Sequence, residues 1–120
     1  MLNLDTHVLI YALAGELTSK ERKLLSTHPW SISAIVLWEI EKLFQLGRIS
    51  LDLADPDLSR TLNRIHIWPI DLLVCRNLRA IDFQSDPADE LIAATSLAHN
   101  VPLLTRDRKI LKSAVVPFAH

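Results

Sequence analysis

Apolar positions change spacing several times along this chain, and each change marks an element. Leu2 and Leu4 flank Asn3 in a run that predicts a short strand over residues 2–4. From about His7 to Ala14 the apolar positions take a helical pattern, with Gly15 as the stop. "TSKERKLL" sets Glu21 three positions after Thr18, the reciprocal capping pattern that opens a second helix. "WSIS" reads as a strand ending at Ser33, a good N-cap for the long amphipathic segment "AIVLWEIEKLFQLG", which Gly47 terminates.

The second half continues the alternation. "DLADPDLSRTLNRI" is a polar helix or loop, "IHIWPI" is strand-like, and a helix carrying "LLVCRNLRAI" begins near Asp71. "SDPADELIAATSLAHN" is a helix with Asp86 as cap, Pro87 at its first position and Asn100 near its end. "VPLLT" is a strand, "RDRKILKS" a short helix and "AVVPF" a last strand. Strands alternating with helices predict an α/β fold with a mainly parallel sheet, and right-handed crossovers place helices on both faces.

Composition narrows the class. With 120 residues and 49% hydrophobic content, the chain supports one domain, residues 1–120, with a real core. No apolar run approaches the ~20 residues that a membrane-spanning helix requires. No basic residue precedes the first apolar run and no small-residue cleavage site follows it, which argues against a signal peptide. Cys75 is the sole cysteine, so no intrachain disulfide or cysteine-based zinc site forms, and a reducing cytoplasm is the expected location. Thirteen Lys and Arg against fourteen Asp and Glu give a net charge of -1, so a nucleic acid would be met by a local basic patch.

The order of elements then selects particular acids. In open parallel sheets ligands bind outside the carboxyl ends of the strands, where the following helices begin. Asp5 directly follows the first strand, Asp107 follows "LLT", and Asp89 lies in the first turn of its helix. At about 100° per residue, Glu39 falls with Ile35, Val36, Leu43 and Leu46 on the buried face of its helix, while Glu41, Gln45 and Arg48 gather opposite. Trp38 turns toward the polar side, as a partner surface or beneath a neighbouring loop. Singly, Asp5, Asp86 and Asp107 are ordinary helix caps and Asp89 a first-turn acid favoured by the helix dipole. Together, four carboxylates at one sheet edge repel unless a divalent cation neutralises them, and an all-oxygen set suits Mg²⁺ or Mn²⁺ rather than zinc.

The segments "LDTHVLIYAL", "SAIVLWEI" and "DPADELIAATSLAHNVPLLTRD", in this order, resemble the PIN-domain ribonucleases, particularly the VapC-like toxins of toxin–antitoxin pairs. The resemblance implies a three-layer α/β/α domain with a short, mainly parallel central sheet, and a Mg²⁺- or Mn²⁺-dependent endoribonuclease. It assigns catalysis and metal binding to Asp5, Glu39, Asp89 and Asp107, with Thr6, Ser33, Asp86 and Thr105 in support. Thr6, Ser33 and Thr105 align with hydroxyls that flank the acids, capping being the ordinary role of Ser33. Glu90 stands where relatives often carry Arg or Lys, which removes a local basic contact. Metal-activated water makes a protein nucleophile unnecessary, and the family's products carry a 5′-phosphate and a 3′-hydroxyl. The implied partners are RNA, a second copy of the chain and a small antitoxin that contacts Trp38, Leu43 and Phe44.

Other residues divide between chemistry and structure. Arg76, Arg79, Arg106, Arg108, Lys109 and Lys112 are candidates for the RNA backbone, with a solvated helix face as the ordinary explanation. His7 reads as a surface or cap histidine near the acids, and Cys75 as a small core residue. Two other functions compete. An aspartyl-phosphate domain of haloacid-dehalogenase or receiver type lacks here a second acid beside Asp5 and a Lys closing a later strand. A catalytically inactive PIN-like module would bind RNA or protein without cutting.

Overall fold

The computed structural model describes Met1–His120. Its elements run β1 (Leu2–Leu4), α1 (Thr6–Ala14), α2 (Ser19–Thr27), β2 (Trp30–Ser33), α3 (Ala34–Gln45), α4 (Pro56–Leu62), β3 (His66–Trp68), α5 (Leu72–Asn77), a 3₁₀ turn (Leu78–Ala80), α6 (Pro87–His99), β4 (Leu103–Leu104) and α7 (Arg108–Leu111). The four strands form one all-parallel sheet in the order β3-β2-β1-β4 with helices on both faces, a three-layer α/β/α domain. No helix is long and apolar enough to cross a membrane.

Two neighbours and a buried face on either side make β1 the centre of the molecule. Leu2 pairs with Trp30, Asn3 with Ser31 and Leu103, and Leu4 with Leu104. All three β1 residues are buried, so Asn3 must find partners inside the protein. Its Nδ2 donates to the Ile92 carbonyl at 3.2 Å and to Ser96 Oγ at 2.9 Å, which locks α6 against the central strand. The chain proceeds from β1 to β2 to β3 on one side, then returns to place β4 on the other side of β1. This reversal opens a crevice at the carboxyl end of β1, where Asp5 stands.

The capping box of α2 is present in full, Thr18 and Glu21 each bonding the other's backbone N–H. Gly15, Gly47 and Asn100 adopt positive φ, closing α1, α3 and α6 as left-handed residues do. Several expectations fail. "AVVPF" makes only a single bridge, Phe118 to Leu103, because Pro117 has no N–H and the Val115 and Val116 N–H groups turn to Ser113 Oγ. Cys75 is exposed rather than in the core, since Val74 is the one buried residue of the six-residue α5. Leu46 lies beyond the end of α3 and is 66% exposed. The buried stripe of α3 runs through Val36 and Ile40, so Glu39 stands at its margin, half-buried, rather than at its centre.

Candidate acidic active site

A cavity of about 340 Å³ opens at the crevice and is lined by Asp5, His7, Tyr11, Glu39, Asp86, Asp89, Arg106 and Asp107. Four parts of the fold deliver its carboxylates: the end of β1, the second turn of α3, the start of α6 and the turn from β4 to α7. Each position follows from local structure. Asp5 ends an extended strand at a helix start, Pro87 fixes the entry to α6 two residues before Asp89, and the brevity of β4 puts Asp107 close to the sheet edge.

A donor of the chain holds each of these acids except Asp86. Thr105 Oγ1 donates to Asp5 Oδ2 at 2.7 Å, and Ser85 Oγ to Asp89 Oδ2 at 2.7 Å. Thr6 Oγ1 donates to Glu39 Oε1. Asp107 caps α7, its Oδ1 accepting from the Lys109 N–H at 2.8 Å. Asp5 occupies the N-cap position of α1 yet makes no side-chain cap bond, so its capping role is overturned; its carboxylate turns to Thr105 instead. Asp86 likewise caps nothing through its side chain and is exposed at the rim. Ser33 does cap α3, accepting from the Ile35 N–H at 3.2 Å, and bonds none of the acids.

Electrostatics set this cavity apart. Burial raises the pKa of Asp5, against the Thr105 bond, and the charge of Asp89 raises it further. Glu39 is raised by burial and by the charges of Asp89 and Asp5, with the Thr6 bond opposing. Asp89 is raised by burial and by Asp107 and Asp86, with Ser85 opposing. The hydroxyls orient these carboxylates but carry no charge to neutralise them. Oxygen donors that repel one another fit a hard divalent cation of the Mg²⁺ or Mn²⁺ type. No three of the side chains form a ready ligand group for one ion.

Of the six basic candidates for RNA contact, only Arg106 lines the cavity. Its guanidinium is already engaged by Glu21 and by the Glu16 carbonyl. His7 is exposed at the rim, facing Asp5, Glu39 and Asp89. Ser85 escaped the sequence reading, and Glu21 entered it only as a capping-box residue. Ser85 stands one helical turn before Asp89, a local signal, whereas Glu21 meets Arg106 across 85 positions and has none. Beside the acidic cavity lies a second, more apolar one, lined by Ile35, Trp38, Glu39, Asp86, Pro87 and Ala88. Trp38 is 55% exposed there, while Leu43 and Phe44 do not line it.

A parallel sheet whose central strand ends in a ring of carboxylates defines an α/β domain with an acidic, oxygen-donor site. The family model for the PIN domain matches residues 3–115, and the chain belongs to this family of nucleases. Solved structures share the fold. A toxin–antitoxin complex from Klebsiella pneumoniae is 20% identical with a TM-score of 0.71, covering 93% of this chain and 91% of that one. VapBC2 from Rickettsia felis, bound to a DNA fragment from its promoter, is 20% identical at 0.74, covering 99% and 98%. FitAcB from Neisseria gonorrhoeae is 22% identical at 0.67, covering 99% and 97%. No curated protein matches the sequence closely enough to stand as a relative.

Proposed function

We propose that this chain is a single-domain, divalent-metal-dependent endoribonuclease and the toxin of a toxin–antitoxin pair, acting in the cytoplasm. One observation carries the reading: acids from four separate segments face one cavity, and burial and mutual repulsion raise the pKa of three of them. Asp5, Glu39, Asp89 and Asp107 would hold Mg²⁺ or Mn²⁺. A bound ion supplies positive charge for the phosphodiester oxygens and makes water a stronger nucleophile at neutral pH. Thr105, Thr6 and Ser85 orient the acids, and the Asp107 N–H on Thr105 Oγ1, at 3.1 Å, couples the β4–α7 turn to Asp5.

The partners follow from surfaces beside that cavity. The apolar recess at Trp38 shares Glu39 and Asp86 with the acidic cavity, so an apolar helix seated there with one basic residue at its end would also block the acids. Such a segment is what a small antitoxin would present. The exposed apolar residues Ile70, Leu72 and Leu73 offer a face for a second copy. An aspartyl-phosphate mechanism is disfavoured, because Asp5 is 4% exposed and tied to Thr105.

The test is cleavage of total cellular RNA with end mapping, using the purified chain and Mn²⁺. Cutting with 5′-phosphate ends is expected. Asp5→Asn and Asp89→Asn each remove several kcal/mol of transition-state stabilisation, a loss of about 10³-fold. Metal-dependent cutting that survives both substitutions would place the active site elsewhere, and an inert chain that still binds RNA would favour the binding-module reading.

A further inference from the structure

We propose that Arg106 and Glu21 form a positioning pair that sets the turn carrying Thr105 and Asp107, and through it the geometry of the acidic cavity. The inference rests on the nuclease reading above. The elements that flank this turn are short, β4 having two residues and α7 four. Yet it supplies the hydroxyl that holds Asp5 and the acid Asp107 itself.

Arg106, between those two residues, anchors the turn to the α1–α2 corner. Its Nε and Nη2 donate to Glu21 Oε2 and Oε1 at 2.8 and 2.7 Å, and Nη2 also donates to the Glu16 carbonyl at 3.0 Å. The guanidinium carbon lies 4.1 Å from the centre of the Tyr11 ring, and Tyr11 also lines the cavity. Glu21 is 7% exposed and is fixed from behind by the Thr18 backbone N–H at 2.9 Å. The molecule's other ion pair, Arg60 with Asp57, is exposed and stays within one helical turn, so Arg106 with Glu21 is the only one that joins distant parts of the chain. A guanidinium whose Nε and Nη2 are both taken, by a carboxylate and a carbonyl outside the cavity lining, fixes a loop rather than following a phosphate backbone.

Charge and position predict different results, which makes the pair testable. Arg106→Gln removes a positive charge from the cavity rim, and by Coulomb attraction alone Mn²⁺ would bind tighter. Glu21→Gln removes a nearby negative charge, and by the same rule Mn²⁺ would bind more weakly. Positioning requires both to weaken binding, by ~10- to 100-fold as for other supports of metal ligands. The experiment titrates Mn²⁺ by calorimetry into unaltered chain, Glu21→Gln, Arg106→Gln and Arg106→Lys, each checked for fold by circular dichroism. RNA-cleavage kinetics are measured beside it.

Weaker Mn²⁺ binding in all three variants, with kcat reduced and KM unchanged, is the expected result; Arg106→Lys falls with the others because it keeps the charge and loses the fork. If Arg106→Gln does not fold, Glu21→Gln and Arg106→Lys carry the test. Opposite shifts for Glu21→Gln and Arg106→Gln would overturn the proposal. So would a raised KM confined to Arg106 variants, which would make Arg106 an RNA contact. An unaltered chain that binds Mn²⁺ without cutting RNA overturns the nuclease reading and leaves the titration to judge the pair; one that binds no Mn²⁺ overturns both.

Discussion

Glu21 and Glu39 are the same side chain in two opposite settings. Both sit on helices, both are at least half-buried, and both accept hydrogen bonds from elsewhere in the chain. Arg106 holds the Glu21 carboxyl down at about 2, helped by the Thr18 cap and against its own burial. Glu39 has the Thr6 hydroxyl and, more weakly, nearby His7, yet burial with the charges of Asp89 and Asp5 pushes it up. The difference lies in the partner. A guanidinium neutralises a carboxylate, whereas a hydroxyl orients it and leaves its charge uncompensated. One glutamate is complete within the chain, and the other stands in the group of acids proposed to hold a cation from outside.

Adding that cation should give the largest effect on stability. A ligand present at 100 times its Kd contributes about 2.7 kcal/mol, which for a domain of this size raises Tm by roughly 8–10 °C. Thermal melts of chelator-treated protein against Mg²⁺ and Mn²⁺ measure this directly. The gain should disappear in Asp5→Asn. A flat titration into high millimolar metal would remove the distinction between the two glutamates, because the acids around Glu39 would then need no outside cation.

A smaller effect appears with pH in metal-free protein, and the two regions move it in opposite directions. Glu21 titrates at about 2 in the folded chain against 4.5 unfolded, so the stability it confers is present above about pH 4.5 and is lost as pH falls toward 2. For Asp5, Glu39 and Asp89, folding raises the pKa, so the folded chain binds the protons more tightly. Their cost is absent below the unfolded values and grows as pH rises through the folded ones. Tm should therefore peak on the acid side of neutrality. Glu21→Gln should flatten the acid limb, and Glu39→Gln should reduce the decline toward neutral pH while raising Tm there. A profile unchanged by either substitution would refute the assignment.

How much of this was legible in the sequence depends on range. The strand before Asp5, the Thr18–Glu21 capping box and the α/β alternation rest on neighbours within a few positions, and all are present in the structure. The α3 wheel placed Glu39 near the apolar side but too centrally, because it counted Leu46, which lies past the helix end. The apolar run of α5 gave no sign that Leu72 and Leu73 would face solvent, since exposure is decided by what packs against a helix. Arg106 read as a candidate for the RNA backbone or as part of a solvated face. Its engagement by Glu21 is a tertiary fact, set by the sheet order that brings the β4 turn to the α1–α2 corner.

Asp86 and Asp71 carry the comparison to its smallest effect. Both precede helices and both suit an N-cap by residue type. Asp71 behaves as one, its Oδ1 accepting from the Val74 N–H at 3.0 Å. Asp86 makes no such bond and instead lines the acidic cavity, where its charge adds to the repulsion felt by Asp89. Asp71→Ala should therefore cost ~1 kcal/mol of folding stability, the ordinary loss of a cap. Asp86→Asn should stay within ~0.5 kcal/mol, the range of uninvolved surface sites, and relief of Asp89 should make the change a gain in metal-free protein. Urea unfolding of both variants at neutral pH, in chelator, distinguishes them. A cap-sized loss from Asp86→Asn would mean that its carboxylate supports α6 after all, and that it belongs with Glu21 among the acids satisfied within the chain.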